Sequence, residues 1–90
     1  MQIHFTKVVH FTRLIKAGGR LREFNFRKLR LEDQPELFTV DTVDDRGNRI
    51  LLRMQKNDNH WAIIPQILPR WIPENEDKLH EAIEDELQKG

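Results

Sequence analysis

The chain has 90 residues, of which 33% are charged and 38% hydrophobic, with no cysteine and a formal net charge of zero. This length is enough for one domain, residues 1–90, but leaves little room for both a core and a deep substrate cleft. No apolar run approaches the ~18 residues that cross a membrane, no signal-peptide pattern is present, and the absence of cysteine favours a reducing compartment. These features predict a cytoplasmic protein without membrane contact.

The charges are unevenly distributed along the chain. Residues 1–30 carry eight Lys or Arg and a single acid, whereas residues 61–90 carry seven acids and three bases. Such an asymmetry predicts either that the two regions form ion pairs inside the fold or that a basic surface is left for a partner.

The segment 2–16 is compatible with two secondary structures. As a strand it places most of its large apolar residues on one face, with Lys7 and Arg13 interrupting that face. As a helix it gathers a different set of apolar residues in one broad arc. We favour the strand because Ala17-Gly18-Gly19 follows, and a glycine pair supplies the positive φ angles of a tight hairpin turn.

Residues 20–31 are expected to form the second strand of this hairpin. Phe24 and Phe26 share one face, but the leucines after them have the opposite parity. A β-bulge or a bend is therefore expected near Arg27 and Lys28.

Three further strands are predicted at residues 37–43, 50–56 and 60–65. The turns between them, residues 44–48 and 57–59, are rich in Asp, Asn and Gly. Connections this short predict an antiparallel meander.

The C-terminal residues 73–88 carry the strongest helix signals in the chain. Pro73 suits a first helical turn, and the acids after it are favoured by the helix dipole. The apolar residues of this segment form one stripe: Leu79, Ala82, Ile83 and Leu87. The predicted fold is therefore α+β, an antiparallel β-meander of four or five strands with a C-terminal amphipathic helix packed on one face. The alternative makes residues 3–16 helical and gives an α-β-β-β-α order.

No catalytic site, metal site or cofactor is predicted. The histidines do not have the i,i+4 spacing of a helical metal site: His4, His10, His60 and His80. The acids around Gly47 do not match the spacing of a calcium loop. The chain contains no Ser, Cys or Tyr nucleophile and no Gly-rich phosphate loop, so an enzyme is not expected.

The bases of the predicted first hairpin are candidate nucleic-acid contacts: Arg20, Arg22, Arg27, Lys28 and Arg30. Phe24 and Phe26 lie among them, and bases interleaved with aromatic rings are typical of single-strand binders. The competing interpretation places both rings in the core and pairs the bases with acids of the same domain. A pI near 6.9 is low for a nucleic-acid-binding domain.

Two tryptophans and an arginine are candidate partner contacts: Trp61, Arg70 and Trp71. Trp and Arg are frequent anchors at protein interfaces, and Pro69 stiffens the segment that carries two of them. In the competing interpretation these rings fill the end of the core. They are also where a small-ligand carrier would bind its ligand.

One short helix covers only one face of a sheet, so the other face must be solvated, curled on itself or paired with another subunit. The leading hypothesis is therefore a non-catalytic protein-interaction module that self-associates through the uncovered sheet face or an edge, so the expected partner is a second copy or another protein. Nucleic-acid binding by the basic hairpin and transport of a small ligand are the alternatives.

Overall fold

The computed structural model describes residues 9–29 and 35–89. It contains one five-stranded sheet, a single 3₁₀ turn at Pro73–Asn75 and one α-helix, α1, at Glu76–Gln88. The strands are β1 (His10–Ala17), β2 (Arg20–Leu29), β3 (Leu37–Val43), β4 (Arg49–Asn57) and β5 (His60–Ile63). Each strand pairs antiparallel with the next in the order β1-β2-β3-β4-β5, which confirms the predicted α+β meander.

The first hairpin decides between the two structures expected for the N-terminal segment. Gly18 and Gly19 have φ values of 62° and 78°, as a two-residue hairpin turn requires. All eight residues of β1 pair with β2 across this turn. The alternative in which residues 3–16 are helical is therefore wrong for residues 10–16, and the rest of that segment lies outside the described chain.

Of the bulge or bend expected near Arg27 and Lys28, the bulge is absent, because β2 keeps an unbroken register with both of its neighbours. Lys28 occupies a core-side position opposite Phe38, and its ammonium group lies 3.4 Å from a carboxylate oxygen of Glu36. An ion pair at the margin of the core thus allows a lysine where the sequence pattern calls for an apolar residue.

The core lies between the inner face of the sheet and α1. Aromatic rings from four strands form its centre, with Phe11 stacked on Phe26 at 4.6 Å between centroids and Phe38 edge-on to Trp61 at 4.9 Å. The helix contributes buried residues from the predicted stripe: Leu79, Ala82 and Ile83.

The helix packs against both β5 and β1, which are the two ends of the sheet. The sheet must curl to bring its first and last strands to one helix, and the curling encloses the aromatic core. The α-helix begins at Glu76, after the 3₁₀ turn at Pro73–Asn75, and β5 ends at Ile63, so both elements are shorter than the spans predicted for them.

Candidate functional site on the outer face of the sheet

The outer face consists of the alternate residues of β1 to β4 that point away from the core. Each of these strands places one exposed aliphatic side chain on it, and together they form the aliphatic patch: Leu14 (63% exposed), Leu21 (61%), Val43 (51%) and Leu51 (51%). Leu14 is opposite Glu23, Val43 is opposite Arg49, and Leu51 is opposite Asp41. The patch is therefore a checkerboard of aliphatic and charged side chains across four adjacent strands.

A chain of hydrogen bonds orders the polar side chains beside the aliphatic patch. The hydroxyl of Thr12 donates to Oδ1 of Asn25 (2.7 Å), whose amide donates to Oδ1 of Asp41 (3.0 Å). The other Asp41 oxygen accepts from the guanidinium of Arg49 at 3.2 Å. These bonds link β1 to β4 and limit the rotamers of these side chains.

A basic row crosses the outer face next to this network. The pairing of the strands aligns His10 with Arg27, Arg27 with Thr39, and Thr39 with Arg53. Within residues 9–29 and 35–89, neither Arg27 nor Arg53 has an ion-pair partner. A shallow groove of about 530 Å³ runs past His10 and Arg27 towards Arg49.

Two of the candidate nucleic-acid contacts are ion-paired at the end of the first hairpin. Arg20 and Arg22 each place a guanidinium nitrogen 3.0 Å from Oδ1 of Asp45. Arg22 is also buried: its Nε–H donates to the carbonyl of Ala17 at 2.8 Å, and its guanidinium lies 3.8 Å from the ring centroid of Trp71. This arginine therefore has a structural role, joining the hairpin to the segment before the helix.

The other candidates on that hairpin differ in their surroundings. Lys28 pairs with Glu36, Arg27 is exposed in the basic row, and Arg30 lies outside the described residues. Phe24 and Phe26 are wholly buried, so neither ring is placed to stack on a base.

Two acids in the turn between β3 and β4 have lowered pKa values. The hydrogen bond from Arg22 holds the pKa of the Asp45 carboxyl below its ordinary value of 3.8, with further support from the charges of Arg22 and Arg20. The backbone N–H of Asn48 lowers the pKa of Asp44, which accepts that bond at 2.8 Å and stabilises the turn.

The candidate partner contacts also lie in three different environments. Trp61 is wholly buried, and its indole N–H donates to a carboxylate oxygen of Glu84 at 3.2 Å. Trp71 is half-buried between Arg22 and Phe24, whose ring centroid lies 6.4 Å away. Arg70 is exposed. The structure thus brings Trp71 into a packed cluster and leaves only Arg70 fully on the surface.

One base of the basic N-terminal part of the chain forms ion pairs with the acidic helix. Arg13, which interrupts the apolar face of β1, lies 2.9 Å from a carboxylate oxygen of Glu86 and 3.3 Å from one of Asp85. Together with the pairs made by Arg20, Arg22 and Lys28, this contact shows that much of the charge asymmetry is balanced inside the fold.

The sequence did not predict that two side chains of α1 accept hydrogen bonds from the backbone of β5. The N–H of Trp61 donates to Nδ1 of His80 (2.9 Å), and the N–H of Ile63 donates to Oε1 of Glu76 (2.8 Å). His60 stacks on His80 at 4.5 Å between centroids and contacts Glu76 at 3.1 Å. No sequence motif marks these contacts, because they depend on how the helix lies against the strand.

No known protein family, curated protein or solved structure matches this chain. Across the described residues, no three His, Asp or Glu side chains are grouped closely enough to hold a metal ion. The same part of the chain contains no helix that is both long and apolar enough to span a bilayer.

Proposed function

We propose that this protein is a non-catalytic protein-interaction module that self-associates through the outer face of its sheet. The observation that carries the proposal is the aliphatic patch, four side chains from four adjacent strands, each more than half exposed. Single exposed leucines are ordinary on protein surfaces, but a group on one ordered face is typical of an interface.

The charges around the patch are self-complementary, as an interface between identical copies requires. Val43 on β3 has Arg49 opposite it on β4, and the extended β2–β3 register places Glu23 on its other side. When two copies pack outer face to outer face about a two-fold axis along β3, Glu23 of each copy meets Arg49 of the other. Val43 then packs on its own symmetry mate at the centre.

Sedimentation velocity over a range of concentrations tests this proposal. The wild-type chain is expected to show a monomer–dimer equilibrium, and Val43→Glu is expected to shift it to monomer because it places two carboxylates together at the axis. Ile67→Glu is the matched control, since Ile67 is fully exposed in a loop beyond β5. A wild-type protein that remains strictly monomeric at high micromolar concentration would contradict the proposal.

A charge exchange tests the orientation of the two copies. Glu23→Arg is expected to weaken the dimer, and Glu23→Arg combined with Arg49→Glu is expected to restore it, because the pairs then re-form with reversed signs. All variants in this comparison carry Asp41→Asn, because Arg49→Glu would otherwise face the Asp41 carboxylate that Arg49 contacts at 3.2 Å. If the double variant is as weak as the single variant on this background, the axis along β3 is wrong. Unfolding curves of each variant establish that it is folded.

Nucleic-acid binding is a second candidate, favoured by the basic row. Arg27 and Arg53 lack ion-pair partners in the described chain, so they are available to phosphates. We expect salt-dependent binding of a single-stranded oligonucleotide that Arg27→Glu with Arg53→Glu removes. The control Arg20→Glu alters a base already paired with Asp45 and should leave binding intact. Binding that the double substitution leaves unchanged would exclude this face as the nucleic-acid-binding site.

Transport of a small ligand has less support. The indole ring of Trp61 is wholly buried, and the ring of Trp71 is packed against Arg22 and Phe24. Quenching of tryptophan fluorescence by a panel of metabolites tests this alternative, and an absence of quenching would leave the interaction module as the better proposal.

A further inference from the structure

The two edge strands of the sheet, β1 and β5, differ in whether their outward N–H groups have hydrogen-bond acceptors. In β5 the odd-numbered N–H groups point away from β4, and α1 supplies an acceptor to each of them: His80 for Trp61 and Glu76 for Ile63. These bonds close the β5 edge and prevent it from pairing with another strand.

At β1 the even-numbered backbone groups point outward. The N–H of Lys28 donates to the carbonyl of Val9 at 2.9 Å, so the odd-numbered residues of this strand bond to β2 and the even-numbered ones face the edge. In the described part of the chain, the N–H groups of Thr12, Leu14 and Lys16 have no acceptor. Two side chains donate to outward carbonyls of this edge: the ammonium of Lys78 to Lys16 at 3.3 Å and the guanidinium of Arg13 to Thr12 at 3.4 Å.

A groove of about 730 Å³ lies beside this edge, between β1 and α1. Its floor includes Ile15 and Ala82, which are both apolar. On its helical wall the carboxylate of Asp85 is already paired with Arg13 and Lys89. The carboxylate of Glu81 on the same wall has no ion-pair partner among the described residues, and Lys78 is engaged by the carbonyl of Lys16. The groove therefore combines unpaired strand donors, an apolar floor and one carboxylate, that of Glu81, that is left for a cation.

We propose that this groove binds an extended basic peptide of a partner protein, which pairs with β1 as a sixth strand. Alternate side chains of such a strand point towards the helix, where a Lys or Arg places its aliphatic stem over Ile15 and Ala82 and its charge at Glu81. The side chains between them face outward beside Leu14, where aliphatic residues fit. The expected partner segment thus alternates basic and aliphatic residues.

A second copy of this chain fits the groove less well. An antiparallel β1–β1 pairing about a two-fold axis places both α1 helices on the same side of the joined sheet. Each helix then brings its unpaired Glu81 towards the junction, where a second copy offers another carboxylate in place of the cation that this position favours. This site is thus separate from the self-association proposed for the outer face and does not depend on it.

The test is titration of the full-length ¹⁵N-labelled chain with a short capped peptide of alternating lysine and valine. We expect saturable shifts in the amide signals of β1 and α1, and slower hydrogen exchange at Thr12 and Leu14. A peptide of the same composition in block order and one of alternating glutamate and valine should not bind. If the block-order peptide binds equally well, the contact is unspecific charge attraction and the proposal fails.

Thr12→Pro removes one outward N–H without touching the β1–β2 ladder, and prolines are tolerated at such edge positions. It should weaken peptide binding about tenfold, the value of one good hydrogen bond. Thr12→Ala is the matched control, because it loses the same hydroxyl and keeps the N–H. Equal binding by both variants would overturn strand addition.

Glu81→Lys should likewise weaken peptide binding, and Glu74→Gln should not, since Glu74 is exposed outside the groove.

Hydrogen exchange of the peptide-free chain adds a further check. Protection of the Thr12 and Leu14 amides that rises with protein concentration would mean that a second copy takes the edge and would overturn the assignment to a peptide. Neither Glu81→Lys nor Glu74→Gln alters the residues of the proposed dimer interface. Failure of the peptide site is therefore distinguishable from failure of the dimer.

Discussion

Gly18 connects the first hairpin to the segment before the helix. It has a positive φ of 62°, and a Cβ added to it would lie 2.9 Å from the ring of Trp71. The turn therefore needs glycine for its backbone conformation and also for the close approach of an indole ring.

We expect Gly18→Ala to destabilise the protein by more than the ~1–2 kcal/mol that a positive φ alone costs an L-residue. Gly19→Ala is the control, because φ at Gly19 is 78° but nothing lies within 4 Å of an added Cβ. Urea unfolding of both variants makes the comparison. Equal destabilisation by the two substitutions would show that the Trp71 side chain moves away from the added methyl group without loss of stability.

Asp45 links Arg20 and Arg22, and its pKa is lowered mainly by the hydrogen bond from Arg22. A carboxyl whose pKa is lower in the folded state stabilises the fold above its unfolded pKa. This contribution is lost as the pH falls through the folded pKa. For Asp45 the loss should thus occur below about pH 3.8, the ordinary value.

The NMR titration of the Asp45 carboxyl carbon measures this shift directly. We expect a midpoint below 3.8 in the wild-type chain and a return towards that value in Arg22→Met. Arg20→Met should raise the midpoint less, because Arg20 contributes less to the shift. A midpoint unchanged by Arg22→Met would mean that the guanidinium does not hold the carboxylate in solution.

At the scale of elements, α1 acts as a cap for the β5 edge. Helix packing usually relies on an apolar stripe, and here Leu79 and Ile83 supply it. The polar flank is also used, since His80 and Glu76 accept the outward N–H groups of Trp61 and Ile63. The helix therefore replaces the sixth strand that the β5 edge would otherwise pair with.

His80→Ala should cost about 1–3 kcal/mol, because it leaves the buried N–H of Trp61 without an acceptor. Amide hydrogen exchange should accelerate at Trp61 and remain slow at Ile63, whose acceptor Glu76 is unchanged. His60→Ala is the control, since this ring stacks on His80 but accepts no backbone bond. Uniform acceleration across the sheet would indicate global destabilisation and contradict a local cap.

At the scale of the whole molecule, the basic and acidic parts of the chain meet where β1 lies against α1. Arg13 reaches both Asp85 and Glu86, and its side chain is about one-quarter exposed, at 27%. This ion pair helps to hold the C-terminal helix against the first strand, so it links the two ends of the curled sheet.

A double-mutant cycle with Arg13→Gln and Glu86→Gln should give a coupling free energy of about 0.5–1 kcal/mol, the upper range for partly exposed pairs. High salt should reduce it. The pair Lys89–Asp85, which is exposed at one end of the helix, is the control and should couple more weakly. A coupling free energy near zero for Arg13 and Glu86 would mean that the apolar stripe alone holds α1 against the sheet.

Local chemistry determined most of the elements. The glycine pair, the acidic and Asn-rich turns and the helical stripe each depend on neighbouring residues, so the meander and the helix could be predicted from the sequence. The same local rules failed at Lys28, where strand parity predicted a bulge. An ion pair with Glu36 satisfies the lysine instead, and that acid approaches only in the folded chain.

The candidate sites depended on tertiary structure. The sequence by itself predicted a surplus sheet face, because one short helix cannot cover both sides of a five-stranded sheet. It could not show which bases remain available, since Arg13, Arg20 and Arg22 find their acids at positions 23 to 73 residues away. Nor could it show that α1 closes the β5 edge and leaves a groove at β1. Those outcomes depend on how far the sheet curls around its aromatic core, and only packing between distant residues decides that.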